Sequence, residues 1–245
     1  MSSEYPARLY AAVHTGNPGD ADFYRRVCRD AGDVLELGCG TGRIGALLVR
    51  DGLRVSGIDH DPECVQLTEQ VGVAARLGDM RDFALDARFD RIIAPYNGLY
   101  CLLEEEALVA CFRRVAEHLR DHGEFWFDGY AVEGLHAGAG SNEAETTSVE
   151  FVGSVQFEGQ TYDVMERGHW DRERQLVHAS YEHIPRDRSA LIETELPQRY
   201  LLSEQIPDLL DRGGLAMRRL DGDFDGGPVL PNCQHLVVCA QKAPS

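Results

Sequence analysis

Lysine is nearly absent from this sequence, and arginine does not make up for it. The 245 residues contain 24 lysines and arginines against 41 aspartates and glutamates, so the formal net charge is −17. A nucleic-acid-binding surface needs a basic footprint, because phosphate contacts dominate its affinity. We therefore expect no nucleic acid and no membrane surface among the partners of this chain.

Long apolar runs and paired cysteines are also missing. No run of about 18 apolar residues occurs, so no membrane span is expected, and the first residues lack the basic and apolar regions of a signal peptide. The seven cysteines are scattered without a Cys-x-x-Cys pair. This distribution is typical of reduced thiols and not of a disulfide framework or a zinc site. We expect a cytoplasmic protein that holds no metal.

Glycine, in contrast, is concentrated in one informative segment. Residues 34–42 read Val-Leu-Glu-Leu-Gly-Cys-Gly-Thr-Gly, in which an apolar run gives way to three glycines two apart. Ile44, Leu47 and Leu48 then repeat at helical spacing, so the pattern predicts a buried strand, a tight turn and a helix. Glycine is needed where the backbone bends sharply and lets a ligand lie against it.

Two cofactor classes use such a turn. Dinucleotide-binding enzymes have G-x-G-x-x-G and hold a pyrophosphate at the helix N-terminus. Here the spacing is G-x-G-x-G, and Arg43 stands where the third glycine of that pattern belongs. Glu36, at the end of the strand, would repel a pyrophosphate but attract an ammonium or a sulfonium group. These residues favour S-adenosylmethionine, which is cationic and carries no phosphate.

The segment Glu36–Gly42 resembles the first motif of the class I S-adenosylmethionine-dependent methyltransferases, in its E-x-G-x-G-x-G form. Asp59 follows 21 residues after Gly38, at the end of another short strand. An acid at this distance is expected to bond both ribose hydroxyls. A helix N-cap is the alternative role for Asp59, but Asp61-Pro62 suits that role better.

Two later strand ends continue the resemblance. Asp79 and Met80 follow a third candidate strand, and the resemblance implies that the acid bonds the adenine amino group while the next side chain packs on the ring. An acid after a strand is also a common turn residue. Pro95-Tyr96-Asn97 ends the fourth strand, which in the family lies beside the transferable methyl group. The Asn/Asp-Pro-Pro-Tyr motif of enzymes that methylate adenine or glutamine nitrogens is absent, which argues against that class.

The candidate site residues form two sets. Those expected to bind the cofactor are Glu36, Gly38, Cys39, Gly40, Gly42, Asp59, His60, Asp79, Met80, Pro95, Tyr10 and Tyr24. Those expected at the substrate end, as candidate catalytic residues, are Tyr96, Asn97, Asp128, Tyr130 and His136. Ordinary alternatives are helix packing for Tyr10 and Tyr24, a turn cap for Asp128 and a surface or packing role for His136. The sequence does not decide whether a general base is used.

Alternating strand and helix patterns predict an α/β fold, with a doubly wound, mostly parallel sheet of seven strands. Its ligand is expected beyond the carboxyl ends of the strands, where all the motifs fall. Alternating apolar residues later in the chain predict an inserted antiparallel β-sheet that acts as a substrate lid. The expected divisions are N-terminal helices at 1–32, the S-adenosylmethionine-binding methyltransferase domain at 33–130 and 201–245, and the insertion at 131–200.

Local signals set three expected boundaries. The longest helix is predicted from about Glu104 to Leu119, and Asp121–Gly123 is predicted to end it. Ser203 is predicted to cap the helix that contains Leu209.

Together these features predict a methyltransferase that uses S-adenosylmethionine to methylate an oxygen or nitrogen atom of a small metabolite. A non-catalytic subunit that keeps the fold remains as an alternative. A nicotinamide-dependent oxidoreductase is the other alternative, which the glycine turn disfavours. A homodimer is the expected assembly, although the sequence specifies neither the oligomeric state nor the substrate.

Overall fold

Two β-sheets organise the computed structural model, which describes residues 5–138, 145–187 and 189–244. The strands are β1 (Asp33–Leu37), β2 (Arg54–Asp59), β3 (Ala74–Leu77), β4 (Phe89–Ala94), β5 (Leu119–Tyr130), β6 (Glu145–Thr146), β7 (Glu150–Phe157), β8 (Gln160–Asp171), β9 (Leu176–Pro185), β10 (Ile192–Arg199), β11 (Leu215–Asp221) and β12 (His235–Lys242). The helices are α1 (Ala7–Val13), α2 (Asp20–Cys28), α3 (Gly45–Arg50), α4 (Pro62–Gln70), α5 (Glu105–His118), α6 (Glu133–Gly138) and α7 (Ile206–Arg212), with a 3₁₀ turn at Gly98–Cys101.

The larger sheet has seven strands in the order β11-β12-β5-β4-β1-β2-β3. The five strands β5-β4-β1-β2-β3 run parallel, and β11 and β12 add an antiparallel hairpin at one edge. The chain steps outward from β1 to β3 and then returns to the other side of β1 as β4. This reversal of strand order leaves a crevice beyond the carboxyl ends of β1 and β4, where doubly wound sheets bind ligands. The predicted fold class is confirmed.

Alternating side chains give the larger sheet an apolar core on each face. Leu35 and Phe125 point to the face covered by α5 and α7, whereas Val34 and Trp126 point to the face covered by α2 and α3. Burial on both faces explains why the strands read as continuous apolar runs and not as polar–apolar alternation.

The smaller sheet is antiparallel, with strand order β10-β9-β8, and β6 and β7 both pair with the remaining edge of β8. Strand β9 alternates strictly between exposed and buried residues along its length. Its inner face contains Tyr181, which packs with Val164 of β8 in a separate apolar cluster. The first helix packs against this sheet, because Val13 of α1 contacts that cluster.

Two of the three predicted boundaries are wrong. The longest helix, α5, does end near the predicted residue, but β5 starts at once at Leu119, so Asp121–Gly123 belongs to the strand. Ser203 does not cap α7, because Gln205 holds the N-cap position and the Ser203 amide donates to Glu133 Oε1 at 2.8 Å. None of the helices in the described ranges has the length and apolarity needed to cross a bilayer.

Candidate functional site

The turn between β1 and α3 requires its glycines. Gly38, Gly40 and Gly42 have φ values of 64°, 54° and 82°, a left-handed region that side chains disfavour. A Cβ on Gly42 would lie 2.7 Å from the side chain of Val71, so this glycine allows close packing against α4. A Cβ on Gly40 would meet no atom within 4 Å. Gly40 therefore faces open space, in which a ligand could lie against the backbone.

Side chains from β2 and α4 hold the peptide groups of this turn. The Gly40 amide donates to Asp59 Oδ2 at 2.7 Å, and the Gly40 carbonyl accepts from Thr68 Oγ1 at 2.7 Å. Asp59 also accepts from the Asp61 amide at 3.0 Å, while Asp61 itself caps α4 as expected. Because a carboxylate has about four acceptor positions, Asp59 retains capacity for hydroxyl donors. Thr68 was missed from the sequence, and its only signal was a polar residue on the buried side of a helix.

Glu36 lies beneath the turn and is almost fully buried. Its Oε2 atom has no hydrogen-bond partner among the described residues. Burial raises the pKa of Glu36 to about 8, although Arg43 and the Gly45 backbone oppose this shift. In the free protein Glu36 is therefore mostly protonated at neutral pH, and a nearby cation would favour its ionised form.

Arg43 is held by a partner from the second helix. Its guanidinium makes a two-point contact with Asp20, at 3.0 and 2.7 Å, and Asp20 is only 2% exposed. The same guanidinium lies 5.4 Å from the centroid of the Tyr96 ring. Arg43 therefore connects α2 with the residues that follow β4.

Three other predicted cofactor residues lie around the turn, and they differ in their contacts and in their exposure to solvent. Met80 brings its terminal methyl group to 3.4 Å from the Cβ position of Gly38. The Asp79 carboxylate binds the Arg81 side chain at 2.9 Å, so an adenine amino group would compete with Arg81 for it. The side chain of His60 is 86% exposed, and its Nδ1 atom lies 3.5 Å from Asp59 Oδ1.

Two predicted cofactor residues, Cys39 and Pro95, have structural roles at the turns after β1 and β4. The Sγ atom of Cys39 packs against β2, 2.8 Å from the Cβ position of Gly57. The Pro95 carbonyl accepts from the Gly98 amide at 3.1 Å and so closes the turn after β4.

The backbone after β4 is strained. Tyr96 and Asn97 have φ values of 54° and 58°, although neither is glycine. Such residues cost about 1–3 kcal/mol each and persist where their surroundings impose the conformation. Here the Tyr96 amide donates to Asp128 Oδ1 at 2.9 Å, and Asn97 Oδ1 accepts from the Tyr130 amide at 2.8 Å. The end of β5 thus fixes the strained turn at the ligand edge of the sheet.

Asp128 is the buried support of this turn. It is fully buried, and Tyr24 Oη donates to Oδ1 at 2.6 Å, the same oxygen that accepts from the Tyr96 amide. Burial raises the pKa of Asp128 to about 6, while these two hydrogen bonds lower it. Tyr24 is also fully buried. Its side chain therefore supports Asp128, and the other carboxylate oxygen, Oδ2, has no partner among the described residues.

An aromatic cluster joins the N-terminal helix, the strained turn and the smaller sheet. We define the aromatic cluster as Tyr5, Tyr10, His14, Tyr96, Tyr181 and His183. The His14 ring lies 4.3 Å from Tyr10, 5.2 Å from Tyr181 and 6.4 Å from Tyr96, measured between centroids. Burial lowers the pKa of His14 to about 4, so its ring is neutral at neutral pH. The cluster places the smaller sheet over the carboxyl end of β4.

His136 and Tyr130 have different surroundings. His136 Nδ1 lies 3.0 Å from the hydroxyl of Tyr200, and within the described ranges no ring contact or hydrogen bond joins it to the aromatic cluster. Tyr130 packs edge-on against Tyr100 at 4.9 Å, and burial raises the pKa of its hydroxyl, which has no hydrogen-bond partner in the part of the chain that the structure describes. Over the same ranges, no three His, Cys, Asp or Glu side chains are arranged to hold a metal ion.

The sheet and the site define the general class of the protein. It is a doubly wound α/β protein with a glycine turn and acidic side chains at the edge of the sheet where ligands bind. Residues 34–123 match the family model for a methyltransferase domain. Over these residues the chain is similar to methyltransferase domains, in agreement with the resemblance of its motif series to the class I S-adenosylmethionine-dependent methyltransferases.

Three known proteins illustrate the similarity. The chain is 33% identical over 103 residues to the cypemycin N-terminal methyltransferase of a Streptomyces species, covering 40% of this chain and 42% of that protein. It is 30% identical over 169 residues to the dTDP-3-amino-3,6-dideoxy-alpha-D-glucopyranose N,N-dimethyltransferase of Streptomyces fradiae, covering 63% and 66%. Each match spans less than two thirds of the relative. The structure of the CcbJ methyltransferase from Streptomyces caelestis has a TM-score of 0.79 at 20% identity, covering 94% of this chain and 91% of that one, a likeness of fold.

Proposed function

We propose that this protein is an enzyme that transfers a methyl group from S-adenosylmethionine to a small molecule, at nitrogen or oxygen. The observation that carries the proposal is the open space over Gly40, whose amide is held by Asp59 at the switch point of the sheet. Two of the relatives are named as methyltransferases that act on nitrogen, the cypemycin N-terminal methyltransferase and an N,N-dimethyltransferase of a dTDP-amino sugar, and another is named as a ubiquinone biosynthesis O-methyltransferase. These names support a nitrogen or oxygen acceptor.

The residues at the turn fit the cofactor. Left-handed glycines leave room for the nucleoside, Asp59 has acceptor capacity for ribose hydroxyls, and Met80 offers an apolar surface beside Gly38. The partnerless oxygen of Glu36 suits a cationic ligand, whose charge would offset the burial that raises the pKa of this carboxyl and would favour its ionised form. When bound, S-adenosylmethionine supplies a methyl group on a positively charged sulfur.

The chain itself contributes alignment and exclusion of water. The strained Tyr96–Asn97 turn fixes the floor of the site, and the aromatic cluster covers it from the side of the smaller sheet. Correct alignment of two reactants can contribute about 7–11 kcal/mol to a displacement reaction. We propose the smaller sheet as the substrate lid for this reason.

Calorimetric titration with S-adenosylmethionine tests the cofactor site. Gly40→Ala should weaken binding by at least about tenfold, since the new methyl group occupies the open space over the turn. Gly52→Ala is the matched control, because Gly52 also has a positive φ and an unhindered Cβ position but lies between α3 and β2. Tight NADH binding, or equal affinities for the two variants, would reject the proposal.

The proposal extends to location and assembly. All seven cysteines are free, which suits the reducing cytoplasm. We propose a homodimer through the edge strand β7, where Phe151 is 61% exposed and Val152 is also exposed, as is Val149 just before the strand. Light scattering of Phe151→Lys should then give the monomer mass. The charge of −17 supports a small-molecule substrate over a nucleic acid.

A further inference from the structure

An acidic residue lies on the inner, apolar face of the smaller sheet. Glu166 belongs to β8, and its neighbours on the same face, Val164 and Gly168, are buried. The residue directly across the strand pair is Tyr181, a member of the aromatic cluster. Placing a carboxylate among buried apolar groups is costly unless the charge has a partner.

The described residues give Glu166 no cationic partner. The Tyr181 hydroxyl faces the carboxylate and lowers the pKa of Glu166, whereas burial and the charge of Glu150 raise it. No lysine, arginine or histidine is among the groups that act on it. Glu166 is partly exposed, so its carboxylate is accessible to a cationic ligand that would pair with it.

The charge of Glu166 reaches the residues at the methyl-transfer end of the site. Burial is the main reason that the pKa values of Tyr5, Tyr96 and Tyr130 are raised, and the charge of Glu166 adds to the shift of each; these residues come from the N-terminal segment, the strained turn and the end of β5. The aromatic cluster connects the same places through ring contacts of 5.6 Å between Tyr5 and Tyr181 and 6.4 Å between His14 and Tyr96. Glu166 thus faces the volume between the smaller sheet and the turn after β4.

We propose that Glu166 and the aromatic cluster form a subsite for an amine, which the enzyme methylates on nitrogen. This inference rests on the proposed function and narrows its substrate class. An ammonium group is attracted both by a carboxylate and by the faces of aromatic rings. An alcohol gains neither interaction to the same extent, so the subsite distinguishes the two acceptors.

The transfer step balances with Glu166 as the proton acceptor. The substrate arrives as an ammonium and gives one proton to the Glu166 carboxylate, which exposes the nitrogen lone pair. That pair forms the new nitrogen–carbon bond while the carbon–sulfur bond breaks, and its electrons remain on sulfur. The product nitrogen is a methylated ammonium, sulfur becomes a neutral thioether, and Glu166 releases its proton to water. The neutral His14 ring beside the site adds no competing positive charge.

Binding of a matched probe pair tests the subsite without catalysis. Benzylamine and benzyl alcohol are titrated into protein saturated with S-adenosylhomocysteine, with ligand-observed NMR as the readout. We expect the amine to bind at least about tenfold more tightly than the alcohol. Glu166→Gln should abolish the difference, while Glu182→Gln should preserve it. Glu182 is the matched control because it is an exposed glutamate of β9 that follows Tyr181 and so lies on the opposite face of the smaller sheet.

The outcomes separate this inference from the proposed function. Three results would overturn the amine subsite: equal affinities for the two probes, no binding of the amine at millimolar concentration, or an unchanged preference in Glu166→Gln. In each case, cofactor binding measured alone would still support the methyltransferase. Failure to bind S-adenosylhomocysteine overturns both. A turnover assay gives a second readout. If the protein methylates an alcohol, and Glu166→Gln does so at the wild-type rate, the amine subsite is overturned.

Discussion

Replacing Tyr24 by phenylalanine probes the buried support of the strained turn. The Tyr24 hydroxyl donates to Asp128 Oδ1 at 2.6 Å, and both residues are fully buried. A hydrogen bond to a charged group contributes ~1.5–3 kcal/mol, against ~0.5–1.5 kcal/mol for a neutral pair. Tyr24→Phe should therefore lower the free energy of unfolding more when Asp128 is ionised than when it is protonated.

The sign of the pH dependence follows from the raised pKa of Asp128. Folding moves this pKa from 3.8 to about 6, so its favourable contribution is fully present below pH 3.8 and is lost as the pH rises through 6. The shift corresponds to about 3 kcal/mol. The Tyr24 hydroxyl limits the shift, so its removal raises the folded pKa further. The stability difference between wild type and Tyr24→Phe should widen from pH 4 to pH 8.

Urea unfolding at several pH values, followed by circular dichroism, measures this difference. Tyr162→Phe is the control, because Tyr162 is also buried but its hydroxyl makes only a 3.4 Å contact with Gln160. The control should lose less than about 0.5 kcal/mol at every pH. A loss in Tyr24→Phe that is the same at pH 4 and pH 8 would refute the proposed support of an ionised Asp128.

Three further perturbations address the cofactor turn. Asp59→Asn should weaken S-adenosylmethionine binding by about 10- to 100-fold in calorimetry, whereas Asp61→Asn, which keeps a good cap, should not; equal losses would contradict a ribose contact. Arg43→Ala should lower the free energy of unfolding by ~3–5 kcal/mol, because it leaves the buried Asp20 carboxylate without its partner. The double variant with Asp20→Asn should recover most of the lost stability, and no recovery would contradict this explanation. Folding raises the pKa of Glu36 from 4.5 to about 8, so the contribution of Glu36 to the free energy of unfolding is lost as the pH rises between these values. In denaturant melts, the free energy of unfolding of Glu36→Gln should therefore rise relative to that of wild type by ~1.4 kcal/mol per pH unit across this interval. Parallel pH profiles of the two proteins would disprove this explanation.

The parallel sheet and its glycine turn could be predicted because their signals are local. Gly38, Gly40 and Gly42 directly follow an apolar run, and their positive φ values explain why glycine suits the turn best. Asp59 also ends its own strand, so its position near Gly40 followed from the parallel order of β1 and β2. In such cases the residue and the geometry that uses it are neighbours in sequence.

The aromatic cluster could not be predicted, because its members come from distant segments with no shared spacing. His14, Tyr96 and Tyr181 meet only after the smaller sheet has folded against α1 and the end of β4. One signal was available: Glu166 interrupts the apolar positions of β8 and so marks an acid on an inner face. Ser203 failed as a predicted cap because its amide is used by Glu133, a partner 70 positions away.

The place of Tyr5 has a practical consequence for anyone who prepares this protein. Tyr5 touches Tyr10, His14 and Tyr181, so a purification tag fused ahead of it would enter beside the amine subsite. Lys242 ends β12, which runs antiparallel to β5 and so finishes at the opposite edge of the sheet. Imidazoles of a polyhistidine tail joined directly ahead of Tyr5 would lie near the acceptor and distort the apparent substrate range, whereas a tail joined after Lys242 would start at the other end of the sheet.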